Sequence, residues 1–109
     1  MNTKIKNLRE LVEYPVNGII SKDIIDNDNG SITIFAFDKG QKLSEHTAPF
    51  DAFVNILEGE AEISIDGNKN ILIEGDAIIM PANIPHSVKA IEKFKMLLTM
   101  ISNHPNNLK

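Results

Sequence analysis

Beyond Ile19 the chain drops helical spacing: isoleucine-rich runs of four to eight residues alternate with turn signals at fairly regular intervals. Runs of that length, rich in β-branched residues and punctuated by glycine, asparagine and proline, read as strands. Ile19 to Ile25 and Ser31 to Phe37 flank Asp26-Asn27-Asp28-Asn29-Gly30, whose asparagines and glycine tolerate positive φ, so a hairpin is predicted there. Asp38-Lys39-Gly40 is the next turn. Glu60 to Asp66 alternates cleanly, with Ala61, Ile63 and Ile65 inward, Glu60, Glu62, Ser64 and Asp66 outward, and a turn at Asp66-Gly67-Asn68. The outward carboxylates are read as solubilising, not as an acid/base pair. Further strands are expected near Ile71 to Ile73, Ala77 to Met80, His86 to Ile91 and Lys95 to Ser102, with Pro81 and Pro85 restricting one connection. About eight short strands with no second helical pattern predict an antiparallel sandwich or barrel.

One strand carries a further constraint. In Ser31 to Phe37, Ile32, Ile34 and Ala36 project to one side and Thr33, Phe35 and Phe37 to the other, so both faces are largely apolar and both need cover. The barrel interior supplies one cover; a subunit interface is the expected second. Together with Ile19 to Ile25 this predicts a homodimer joined by strand exchange or sheet-to-sheet packing. Ahead of the strands, Asn7 and Glu10 with Leu8, Leu11 and Val12 predict a short capped helical turn that Pro15 ends.

Composition narrows the function classes. With 109 residues, 42% hydrophobic and a net charge of -4, the chain suits one globular domain: an N-terminal arm over 1–18, a barrel over about 19–102 and a frayed tail over 103–109. There is no cysteine, hence no disulfide, no thiolate metal site and no thiol nucleophile. Basic residues are scattered singly, so no nucleic-acid partner is expected. The first fifteen residues carry Lys4, Lys6, Arg9, Glu10 and Glu13 in place of a secretory apolar stretch, and no later apolar run is long enough to span a bilayer. The expectation is a cytoplasmic protein with no membrane partner.

His46 and His86 are the two histidines within the strand region, each beside a turn or a proline. A single histidine on an apolar face is more often a hydrogen-bonded structural residue than a ligand; two in corresponding places raise the question of a joint site. Met80, Met96 and Met100 could offer thioethers to a soft ion such as Cu(I), but methionine in such a barrel is core filler far more often and is read so here. Asp51 and Glu45 each adjoin a candidate position, where regular alternation turns their side chains away unless a bulge intervenes. His104, in the tail, is read as solvated.

Two stretches carry a family resemblance. Gly40-Gln41-Lys42-Leu43-Ser44-Glu45-His46-Thr47-Ala48-Pro49-Phe50-Asp51-Ala52, running on to Gly59, resembles the first cupin motif: Gly40, His46 and Gly59 fall at its spacing, while Ala48 and Ala52 stand where the family carries its second histidine and its glutamate. Gly75 through His86, continuing to Ala90, resembles the second motif. Gly75, Pro81 and His86 match, Asn83 replaces a glycine, and Ala90 replaces an asparagine. The resemblance spans about Ile19 to Ser102 and implies an all-β, double-stranded β-helix, a small jelly-roll barrel with a short N-terminal helical turn.

It also implies a site inside the barrel. The family's three-histidine, one-carboxylate metal set is reduced here to His46 and His86, an incomplete set for one divalent transition metal (Zn, Ni, Mn, Fe or Cu), with a metal-free pocket as the alternative. Ala48, Phe50 and Ala52 join the two histidines as the expected lining of a small apolar pocket for a small-molecule ligand. Three functions follow as expectations: binding of a small molecule or a weakly held divalent ion; a metal-dependent enzyme of the dioxygenase, decarboxylase or isomerase type; or a dimeric interaction barrel with a degenerate site.

Overall fold

The structure, a computed structural model, describes residues 4–102; the expectations of a frayed tail and a solvated His104 lie outside the described residues. Among the described residues nine strands form two antiparallel sheets. β1 (Ile19–Asn27), β2 (Gly30–Phe37), β9 (Phe94–Ser102), β4 (Phe50–Glu58) and β7 (Ala77–Met80) lie in the spatial order β1-β2-β9-β4-β7. β3 (Lys42–His46), β8 (His86–Ala90), β5 (Glu60–Ile65) and β6 (Asn68–Ile73) lie in the order β3-β8-β5-β6. The non-consecutive neighbours are those of a jelly roll, and the expected all-β barrel is found. The stretch of the first motif folds as two strands, β3 and β4, where sequence alternation alone drew no boundary.

Turn chemistry sets the hairpins. Asn27 pairs with Gly30 across the two-residue turn Asp28-Asn29, and the Asn27 Oδ1 accepts the Asn29 N–H at 2.8 Å. Ile65 pairs with Asn68 across Asp66-Gly67, whose φ values of 52° and 83° are those of a turn matched to strand twist. At the start of the chain Leu8–Glu10 forms a single 3₁₀ turn capped by Asn7, whose side chain accepts the Arg9 N–H. No helix among the described residues is long and apolar enough to cross a membrane.

The main core lies between the sheets, where Phe37 stacks on Phe94 with ring centroids 4.5 Å apart above Val54, Ile56, Ile63 and Met96. A second, smaller cluster corrects the expectation for β2. Ile34 and Ala36, on its outer face, pack with Val12 and are closed over by Leu8, Leu11 and Tyr14 of the N-terminal arm, with Leu97 of β9 and Leu57 of β4. The second cover is therefore intramolecular, and the apolarity of β2 does not require another subunit. Polar ties hold the arm in place: Tyr14 Oη donates to Glu58 Oε2 at 2.5 Å, and the buried Lys95 ammonium donates to the Arg9 carbonyl and lies 4.9 Å from the Tyr14 ring centroid. Burial, then the bond to Glu58, raises the Tyr14 pKa well above its ordinary value, so the phenol remains a donor.

Candidate functional site

β3 and β8 pair antiparallel with Lys42 opposite Lys89 and Leu43 opposite Val88. Continued regularly, that register would set Glu45 against His86. It shifts between Leu43 and His46, so that His46 stands opposite His86. A bulge that inserts one residue reverses which side chains face inward: His46 joins Leu43 at the cavity and Glu45 is left exposed. A second device fixes the far side. Asn83 adopts φ 63°, the left-handed conformation expected of a residue replacing glycine, and its N–H donates to the Ala48 carbonyl at 2.8 Å. The Ala82 N–H donates to Asp51 Oδ1 at 2.9 Å. The β7–β8 loop is thus tied to the β3–β4 loop at the barrel mouth.

The two imidazoles meet there. His46 Nε2 and His86 Nε2 are 3.1 Å apart, with ring centroids at 4.3 Å and planes inclined by 68°. His46 Nδ1 lies 2.8 Å from the Ser44 carbonyl and His86 Nδ1 lies 3.2 Å from the Ile84 carbonyl. A carbonyl oxygen can only accept, so the tautomer with hydrogen on Nδ1 satisfies both carbonyls, and in that tautomer the two Nε2 lone pairs face each other. Two acceptors at that distance repel unless something electron-poor lies between them, either a proton on one ring or a metal ion on both. Nitrogens 3.1 Å apart are spaced as neighbouring ligands of one ion held at about 2.0–2.1 Å. An Nδ1–H bonded to a carbonyl is also what orients a ligating histidine.

His46 is exposed at the rim and His86 is buried, 6% accessible. Burial lowers the His86 pKa below its ordinary 6.5; the bond to the Ile84 carbonyl opposes that and the nearby His46 adds to it. The sign for stability follows. Above about pH 6.5 folded and unfolded chains both hold this ring neutral; as the pH falls the unfolded chain takes the proton first, and stability declines until the folded-state pKa is passed. Denaturation of wild type and His86→Gln between about pH 7.5 and about pH 5 should show the wild type losing ground to the variant on acidification. A constant difference would contradict the assignment.

Behind the pair lies a cavity of about 60 Å³. All five residues expected at the pocket line it: His46, Ala48, Phe50, Ala52 and His86. Leu43, Met80, Val88, Met96, Leu98 and Met100 complete the wall. Pockets for drug-sized ligands run from about 300 to 1,000 Å³, so this one suits an ion with a ligand of a few heavy atoms. The carboxylates stay away: Asp51 is held outward by the Ala82 N–H, and Glu45 lines a separate outer hollow with Lys42, Glu62 and Lys69. Among the described residues no group of three or more His, Cys, Asp or Glu could hold a metal. The donor set fits an ion held by two imidazoles and leaves the rest of its coordination to other groups. Met80, Met96 and Met100, read from the sequence as core filler, stand in this wall because the pairing register brings β7 and β9 alongside β4.

Comparison with known proteins accords with this architecture. The family model of the cupin domain matches residues 33–102. The structure superposes on a conserved Streptococcus pyogenes protein of unknown function with a TM-score of 0.90, at 38% identity over 95% of this chain and 91% of that one. A cupin 2 conserved barrel domain protein from Leptotrichia buccalis gives 0.87 at 43% identity, covering 89% of this chain and 47% of the other. A cupin superfamily protein from Desulfitobacterium hafniense gives 0.88 at 29% identity over 94% of each chain. In sequence, an uncharacterized Aquifex aeolicus protein is 27% identical over 101 residues, 91% of this chain and 84% of that one. With the matched domain covering more than half its length and both motif histidines at one barrel mouth, the chain belongs to the cupin family.

Proposed function

We propose that this cupin domain binds a transition-metal ion at the mouth of its barrel through Nε2 of His46 and Nε2 of His86. The observation that carries the reading is the convergence of the two Nε2 atoms at 3.1 Å, with each Nδ1 within hydrogen-bond distance of a backbone carbonyl. An ion there supplies Lewis acidity and open coordination positions. The chain's own residues orient the two imidazoles, exclude bulk water through Leu43, Phe50 and Leu98, and limit a co-ligand to a few heavy atoms. Binding is favoured over turnover because backbone carbonyls face both Nδ1 atoms, and among the described residues no carboxylate hydrogen-bonds either ring. Turnover of a substrate panel that vanishes in either histidine variant would instead favour the metal-dependent enzyme.

The test is metal content. Untagged protein loaded separately with Mn, Fe, Co, Ni, Cu and Zn and then dialysed is expected to retain close to one ion per chain for at least one metal, and His46→Ala/His86→Ala is expected to retain none. Equal retention by the double variant, or no retention by wild type, contradicts the proposal.

A second copy of the chain is the partner we propose, on a different surface from the one the sequence suggested. Phe53, Ile79 and Ile101 are 45%, 60% and 60% accessible and adjoin on the outer face of β4, β7 and β9, around a shallow hollow of about 370 Å³. Phe53 stands opposite Ile79, and Asp51 opposite Ile101. Among the described residues Asp51 is the only ionisable one lining the hollow, so a two-fold copy can cover the patch without burying unlike surfaces. Light scattering at micromolar concentration should give the dimer mass, and Ile79→Glu/Ile101→Glu the monomer mass; a monomeric wild type refutes the pairing.

A further inference from the structure

The sheet that faces the histidine pair presents a row of three inward residues. Ala52 on β4 has Met80 of β7 as its register partner on one side and Met100 of β9 on the other. Adjacent strands lie about 4.7–4.9 Å apart, so the two methionines straddle Ala52 at the same height. All three residues line the cavity that both imidazoles line. Met96, two inward positions before Met100 on β9, lines it as well. The chain has four methionines, so every methionine apart from Met1 borders this one small space.

That concentration suits a particular class of ion. Neutral imidazole and thioether carry no charge to offset a dication, and no carboxylate joins the group among the described residues. Thioethers are soft, polarizable donors that favour Cu(I), whereas Zn²⁺, Mn²⁺ and Fe²⁺ gain little from them. We propose that the cavity selects Cu(I), held by Nε2 of His46 and His86 and by the thioethers of Met80 and Met100, which flank the small Ala52. The proposal deepens the ion-binding reading of the histidine pair and rests on it. Plain gap-filling by methionine is the competing account, and it predicts that leucine serves equally well at both positions.

The test is a competition titration of untagged protein, without oxygen, against the Cu(I) complex of bicinchoninate, run beside a Zn(II) titration. Wild type is expected to take one Cu(I) per chain and to hold it more tightly than Zn(II). Met80→Leu/Met100→Leu, a nearly volume-conserving change that should leave the fold intact, is expected to weaken Cu(I) by roughly tenfold or more and to leave Zn(II) unchanged. Equal Cu(I) affinity in wild type and the leucine variant overturns the methionine assignment while leaving the histidine pair standing. Binding of neither ion by wild type overturns the Cu(I) proposal, and the histidine-pair reading falls with it only when none of the six metals is retained. Copper-edge X-ray absorption on loaded wild type settles the matter even if the double variant fails to fold. The chain has no cysteine, so a sulfur shell around copper must come from methionine, and a shell of light atoms alone refutes the proposal.

Discussion

Gly59→Ala is expected to lower the melting temperature by at least about 8 °C. Gly59 joins β4 to β5 with φ 87°, a conformation that costs a side-chain-bearing residue about 1–2 kcal/mol. The added Cβ would also lie 2.1 Å from the Lys93 carbonyl oxygen and 2.6 Å from the Phe94 Cα, both backbone atoms that cannot swing aside. Displacing such neighbours adds roughly 1–3 kcal/mol, for a total of about 2–5 kcal/mol. Gly40 provides the control. Its φ of 84° is similar, but nothing lies within 4 Å of the corresponding Cβ, so Gly40→Ala should cost only the backbone strain, about 1–2 kcal/mol. Thermal denaturation of the two variants side by side checks this; equal losses would show that the contact with β9 carries no weight.

Ala52→Glu should exchange stability for affinity. The methyl group of Ala52, 5% accessible, faces the cavity between Met80 and Met100, opposite the histidine pair. A carboxylate there without an ion is a buried charge with no partner, and the metal-free variant should unfold several degrees earlier than wild type. With a divalent ion the same group becomes a third ligand and offsets charge, so Zn(II) or Ni(II) is expected to bind roughly tenfold or more tightly than to wild type and to restore the melting temperature. Calorimetric titration and melting with and without ion test both halves. Unchanged divalent affinity in a folded variant would place position 52 out of reach of the site.

How far the sequence discloses this site depends on whether local or long-range pairing decides each feature. The hairpin turns at Asp28-Asn29 and Asp66-Gly67 are written in residues that accept unusual backbone angles, and the left-handed Asn83 was legible for the same reason. The two-sided apolarity of β2 was legible too. What covers its outer face was not, because Leu8, Leu11 and Val12 read as a short helical turn without saying which sheet it docks on. His46 and His86 stood out by type and spacing. Their contact depends on a register shift in β3 that hydrophobic alternation does not record, since Ser44 and Glu45 are polar in either register. The Met80–Ala52–Met100 row is further from view still: it joins three strands separated by dozens of residues, and each methionine taken alone is an ordinary core residue.

The central claim is that the two Nε2 atoms share one ion, and nitrogen-15 correlation spectra of the histidine rings test it most directly. At about pH 7.5, with one equivalent of Zn(II), both His46 and His86 should show a protonated Nδ1 and a metal-shifted Nε2, and in His46→Ala the shift of His86 should disappear or require far more ion. Rings protonated on Nε2, or Nε2 resonances unmoved at saturating ion, would contradict the account.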